Sequence, residues 1–174
     1  MFGLQETHAQ KTKKALETIF KMSLATLTDE EITEAFTMAD LRGAAPTIFP
    51  KDANQLQKIG DAALDYHVLQ ILRRIKFTGS FEEEKARLLG NAAEQPLNKL
   101  FDTWGLKDLV LSLTPTDTLS PHQKADVVEA IFGLLASKGL ITEALIEKIF
   151  GEHWPKIEKS ADTSPRKAIT SEEL

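Results

Sequence analysis

The sequence predicts an all-α fold. Apolar residues recur at helical spacing over long stretches and almost nowhere alternate as they do in strands. Helix-capping residues and glycine stops bracket those stretches. Two breaker-rich segments, Leu41–Asp52 with Gly43, Pro46 and Pro50, and Leu113–Ser120 with its threonines and Pro115, read as loops.

In chain order, Lys11–Ala25 is amphipathic, with Ala15, Ile19, Phe20 and Met22 as candidate core positions. Thr28 followed by Glu30 and Glu31 predicts an N-cap and an acidic first turn, opening a helix to Met38. Asn54–Lys76 holds no proline and one glycine; Leu56, Ile59, Ala63, Val68, Ile71, Leu72 and Ile75 mark it as a long, largely buried helix. Thr78-Gly79-Ser80 ends it. Shorter helices are expected over Phe81–Leu89 and Leu97–Trp104, with Gly105 as a stop. Ser120-Pro121 places a capping residue before a proline at the first helical position, opening a helix to Ser137 that Lys138-Gly139 stops. Ile141–Phe150 is the last helix. Three segments follow: an N-terminal helical extension over 1–25, one domain over 26–158, and a flexible tail over 159–174, where apolar content collapses.

The chain has 174 residues, 42% hydrophobic and 27% charged, enough for one domain with a continuous core. A net charge of -5 argues against coating nucleic acid by bulk charge, but leaves room for a local basic groove or an acidic metal site. The absence of cysteine excludes disulfides, zinc–thiolate centres and thiol nucleophiles. No apolar run is long enough to span a bilayer, so no membrane association is expected. Met1–Lys14 reads neither as a secretory signal nor as an arginine-rich transit peptide, and an intracellular protein is expected.

Two helices carry candidate chemistry. Asn54, Gln57 and Asp61 are spaced i, i+3, i+7 and share a polar face of the long helix. Gly60, inside that helix, costs about 1 kcal/mol against alanine and predicts close approach by another helix. Asp126 and Glu129, spaced i, i+3, sit in a run of apolar residues. Two carboxylates there are costly to bury unless paired or metal-bound. If the helices pack together, Asp61, Asp126 and Glu129 converge with Gln57 in an all-oxygen set suited to Mg²⁺ or Mn²⁺. The alternative is that these acids point to solvent or pair with a cation such as Lys124.

The same residues resemble the ribonuclease III family. The family's stretch E-R-L-E-x-L-G-D-A-x-L is matched by Asn54–Leu64 at Leu56, at Gly60-Asp61-Ala62 and at Leu64. Its second motif, A-D-x-x-E-A-L-I-G, is similar to Ala125–Gly133, with Ala125-Asp126, Glu129-Ala130 and Gly133 in place. The resemblance covers roughly Ile32 to Phe150. It implies a ribonuclease III-like helical domain that hydrolyses RNA phosphodiesters, usually in double strands, with Mg²⁺-activated water. It implies Asp61 and Glu129 as catalytic residues, and Asp61, Asp126, Glu129 and Gln57 as metal ligands. It also implies pairing as a homodimer, or as a heterodimer with another domain of this type.

Three departures accompany it. Asn54 and Gln57 stand where the family has glutamates, removing charge. Lys58 stands where a large apolar residue helps dimerisation. No double-stranded-RNA-binding domain is expected in this chain. The Glu82-Glu83-Glu84 cluster lies near a further acidic position of the family, but also suits the first turn of a helix.

Arg73, Arg74, Lys76, Lys85 and Arg87 are candidate RNA-phosphate contacts; the first three equally complement the long helix's C-terminal dipole. His67 reads as a packed or surface residue, and Trp104 and Trp154 as packing anchors. Three functions compete: a divergent metal-dependent endoribonuclease, a catalytically inactive subunit of the same fold with a structural or RNA-binding role in a ribonucleoprotein assembly, and a helical interaction domain with no RNA role.

Overall fold

A computed structural model describes residues 6–90 and 92–156; the expected tail over 159–174 lies outside them. Among the described residues the chain forms eight α-helices and no strand. They are α1 (His8–Phe20), α2 (Asp29–Phe36), α3 (Ala39–Ala44), α4 (Asn54–Arg74), α5 (Phe81–Leu89), α6 (Pro96–Thr103), α7 (Pro121–Ser137) and α8 (Glu143–Phe150).

The capping grammar operates as read. Thr28 accepts from the Glu31 amide, and the Glu31 side chain accepts from the Thr28 amide, closing a reciprocal box at the start of α2. Ser120 and Gln123 do the same for α7, with Pro121 at the first helical position. A box the sequence reading missed, Thr7 with Gln10, starts α1 at His8 rather than Lys11. Lys21, in the left-handed region (φ 53°), ends α1 before Ala25.

The segment expected as a loop from Leu41 onward contains most of α3, a correction. This six-residue helix buries none of its residues and is held from outside. Asp40 Oδ2 accepts from Ser112 Oγ, the Leu113 and Thr114 amides, and Thr114 Oγ1. Met38 N donates to Leu111 O, and Leu111 N to Phe36 O, beside a lone parallel bridge between Thr37 and Leu111. Burial pushes the Asp40 carboxyl up, but these donors outweigh it and hold it below the usual aspartate range. Asp40→Ala is expected to cost about 1–2 kcal/mol and to release the amides of residues 113 and 114 to fast hydrogen exchange, read by mass spectrometry.

The central pair is α4 against α7. Around α7 nearly every side is covered: Val127, Val128, Ala130, Ile131, Phe132, Leu134 and Leu135 are all buried. α2 and α6 pack on α7, while α5 and α8 pack on α4. The segment 1–25, expected as an extension, supplies Leu16, Phe20 and Leu24 to the same core. Phe20, Trp104 and Phe132 form an aromatic cluster with centroids 5.2–6.4 Å apart, so Trp104 is a packing anchor. Trp154 packs edge-on against Phe150 and donates Nε1 to Glu147 O.

Two glycines set the α4–α7 distance. A β-carbon on Gly60 would lie 1.8 Å from Glu129 O, and one on Gly133 would lie 1.8 Å from Leu56 O. The contacts are reciprocal: each helix uses a glycine to admit the other's backbone. The approach expected at Gly60 is therefore found, and it brings the acidic turn of α4 beside that of α7.

Candidate functional site

Asp61 and Glu129 line one open cleft of about 300 Å³, together with Gln57, Lys58, Leu89 and Gly90. α4 supplies Gln57, Lys58 and Asp61; α7 supplies Glu129; the last residue of α5 and the glycine after it form the remaining wall. Glu129 is 6% exposed although it borders this cleft, because the Gly60 turn of α4 lies directly on its backbone.

The electrostatics follow from this placement. Burial, and then the Asp61 charge, push the Glu129 carboxyl up from its ordinary 4.5 to about 7; a Gln57 hydrogen bond offsets this in part, and Asp126 and Asp65 add to the repulsion. Burial and the neighbouring Asp65 raise Asp61, against the pull of Lys85. Asp126 is raised as well, by burial, while His122 acts in the opposite sense.

Asp126 is arranged differently from the other two acids. Gln57 Nε2 donates to Asp126 Oδ1 at 2.7 Å, and His122 Nε2 stands 3.7 Å from the same oxygen. Asp126 lines a neighbouring recess with Thr37, Asp52, Asn54 and Gln57. Gln57 thus borders both spaces, with Asp61 and Glu129 on one side and Asp126 on the other. Asn54 lies at the α4 N-terminus, where its amide donates to Asp52 Oδ1, and is not part of the cleft lining.

Carboxylate oxygens are donors of the kind that a hard divalent cation takes. Two carboxylates face one cleft, and their mutual repulsion is the kind that a divalent ion relieves. Asp61 and Glu129 would be its anionic ligands, with Gln57 at the margin. Among the described residues, no group of three or more histidine or acidic side chains is arranged to hold a metal ion. The third acid of the expected set, Asp126, lines the neighbouring recess instead.

Of the expected phosphate contacts, Arg73 and Lys76 are exposed at and just beyond the end of α4. Arg74 pairs with Glu143 and Glu147 of α8, and Arg87 with Glu84 and the His153 carbonyl. Lys85 Nζ lies 2.9 Å from Asp65 Oδ2 and 3.0 Å from Glu82 Oε2. The Glu82–Glu84 cluster forms the first turn of α5 and does not line the cleft, where α5 contributes Leu89. Asp65 is the residue the sequence reading missed. Its signal was available: Gln57, Asp61 and Asp65 repeat at i, i+4, i+8 along one helix face.

No family model, no curated protein and no solved structure matches the chain. The functional reading therefore rests on the two motifs and the chemistry of the cleft they form. Among the described residues, no helix is long and apolar enough to cross a membrane.

Proposed function

We propose that the chain is a divergent endoribonuclease of the ribonuclease III type, hydrolysing RNA phosphodiesters with a weakly held divalent cation. The observation that carries this reading is Glu129, nearly buried yet bordering an open cleft, its carboxyl raised to about 7 by burial and by Asp61. An apolar residue would fill this position at no electrostatic cost, and a divalent cation offsets the cost of the acid.

Bound there, the ion would activate water and stabilise the leaving oxygen. The chain's own residues have separable tasks. Asp61 and Glu129 would hold the ion from facing helices, with the Gly60 crossing fixing the relative position of the two helices. Gln57 orients Asp126 and moderates the repulsion on Glu129. Arg73 and Lys76 are exposed cations available for RNA phosphates. Double-stranded RNA is the substrate class, and a second ribonuclease III-type domain the partner, that the motif resemblance implies.

Purified protein is expected to cut double-stranded RNA in Mn²⁺ or Mg²⁺, and Glu129→Ala to reduce the rate by at least about a hundredfold. Gel assays on double- and single-stranded RNA check this, and no cleavage of either by the wild type would sink the reading.

A second reading has its own support. The Gln57–Asp126 hydrogen bond occupies the third carboxylate, which suits a catalytically inactive subunit that keeps the fold for a structural or RNA-binding role. That reading requires Asp61→Asn and Glu129→Gln to leave RNA binding and assembly unchanged.

A further inference from the structure

We propose that the groove between α2 and residues 45–51 is a docking site for a partner polypeptide that presents an aliphatic side chain beside a lysine or arginine. The inference is independent of the ribonuclease reading, because the groove shares no lining residue with the Asp61–Glu129 cleft.

Two recesses adjoin in this groove and share Glu34, Pro50 and Lys51 as lining residues. The first, of about 220 Å³, has Ile48, Phe49 and Pro50 as its apolar wall. Ile48 is 70% exposed, more than any other exposed large apolar residue described, and burying it in a complex is favourable. The second recess, of about 350 Å³, has Pro50 as its one apolar lining residue and is otherwise polar or charged. The walls are fixed beforehand. Arg42 Nε donates to Pro50 O, the Ile48 and Phe49 amides donate to Ala45 O, and the Ala53 amide donates to Thr37 O. A groove held in this way spares a ligand the cost of ordering it.

The charges select the occupant. Asp29, Glu30 and Glu34 line the apolar recess against one cation, Lys51. The helix dipole accounts for Asp29 and Glu30, in the first turn of α2, but not for Glu34 in its last turn, where an acid is disfavoured. The Glu34 side chain is only 15% exposed, yet its ion-pair partner Lys51 stands 3.8 Å away, beyond hydrogen-bond distance. Lys51 is 59% exposed and lies 3.6 Å from Glu30, a loose surface pairing that an incoming cation displaces at little cost. The other cation of the polar recess, Arg42, is paired with Asp52 and bonded to Pro50 O. Glu34 is thus a largely buried carboxylate common to both recesses, with no close counter-ion. A guanidinium or ammonium in the polar recess would pair with it while the adjoining aliphatic chain covers Ile48 and Phe49. The same three acids repel the phosphates of RNA.

An array of short peptides in which isoleucine or leucine adjoins lysine or arginine, probed with the full chain, tests this. Fluorescence anisotropy then measures the affinity of the peptides retained. Ile48→Ser and Glu34→Gln are each expected to weaken binding on the order of tenfold. Peptides with glutamate in place of the basic residue are expected not to bind. Added salt is expected to weaken the wild type more than Glu34→Gln. Melting curves of both variants establish that they are folded. Retention of no peptide by the wild type overturns the proposal, and so does equal binding by the wild type and both variants. If Ile48→Ser instead abolishes binding of RNA, the groove is a nucleic-acid surface and the proposal falls. It falls equally if sedimentation shows the wild type self-associating and Ile48→Ser monomeric, because the occupant is then a second copy of this chain.

Discussion

Gly60→Ala is expected to destabilise the protein by about 3 kcal/mol or more and to lower its melting temperature by on the order of 10 °C. On an isolated helix the same change would stabilise by about 1 kcal/mol, because alanine is the better helix former. Packing reverses the sign. The added methyl would lie 1.8 Å from Glu129 O and 2.7 Å from both Glu129 C and Gly133 N, all backbone atoms of a buried helix that cannot rotate away. α4 and α7 must separate, and most of the core is attached to one or the other. Gly133→Ala meets Leu56 O at the same distance and should cost a similar amount. The two changes act on one crossing, so the double variant should lose less than the sum of the singles. Chemical denaturation with circular dichroism measures all three, and a neutral or stabilising Gly60→Ala would refute the crossing.

Glu129→Gln is expected to stabilise the metal-free protein at pH 8, by up to about 3 kcal/mol. The sign follows from proton linkage. The folded-state carboxyl is raised from 4.5 to about 7, so between those values the folded protein binds more protons than the unfolded chain. Stability then falls as pH rises through the window and is flat, at its lower level, above it. Asp61 and Asp126 are raised too and act in the same direction. Glutamine cannot ionise, so its advantage should vanish below about pH 4.5, where glutamate is protonated in both states. On the proposed reading, saturating Mn²⁺ should remove the advantage at pH 8, because the ion would bind the ionised carboxylate that the variant lacks. Urea melts of both proteins at pH 5 and pH 8 suffice. A destabilised variant at pH 8 would mean that Glu129 is well satisfied in the apo fold.

The helical character was legible because periodicity and caps agree: Thr28, Ser120-Pro121 and Gly105 all act locally, within one turn of the chain. α3 was not legible. Its anchor, Asp40, works through residues 112–114, more than seventy positions away, and the glycine and prolines around it argue for a loop. Of the site, Asp61 and Glu129 were recognisable as polar residues at motif positions in apolar helices, and Gly60 announced the close crossing. The division of the acids was not recognisable. Spacing places Asp126 and Glu129 on one helix face, but the two border different recesses and the Gln57 side chain serves both. The partners of the basic residues were not legible either: sequence counts charges, whereas Arg74, Lys85 and Arg87 are paired with acids contributed by folding or by the neighbouring turn.

The central claim is that Asp61 and Glu129 form a divalent-cation site. Anomalous scattering from crystals soaked in Mn²⁺ near pH 8 tests it directly. The account predicts a peak within coordination distance of both carboxylates, roughly 2.2 Å, and its loss in Glu129→Gln. A wild-type map at saturating Mn²⁺ with no peak between these two side chains would contradict it.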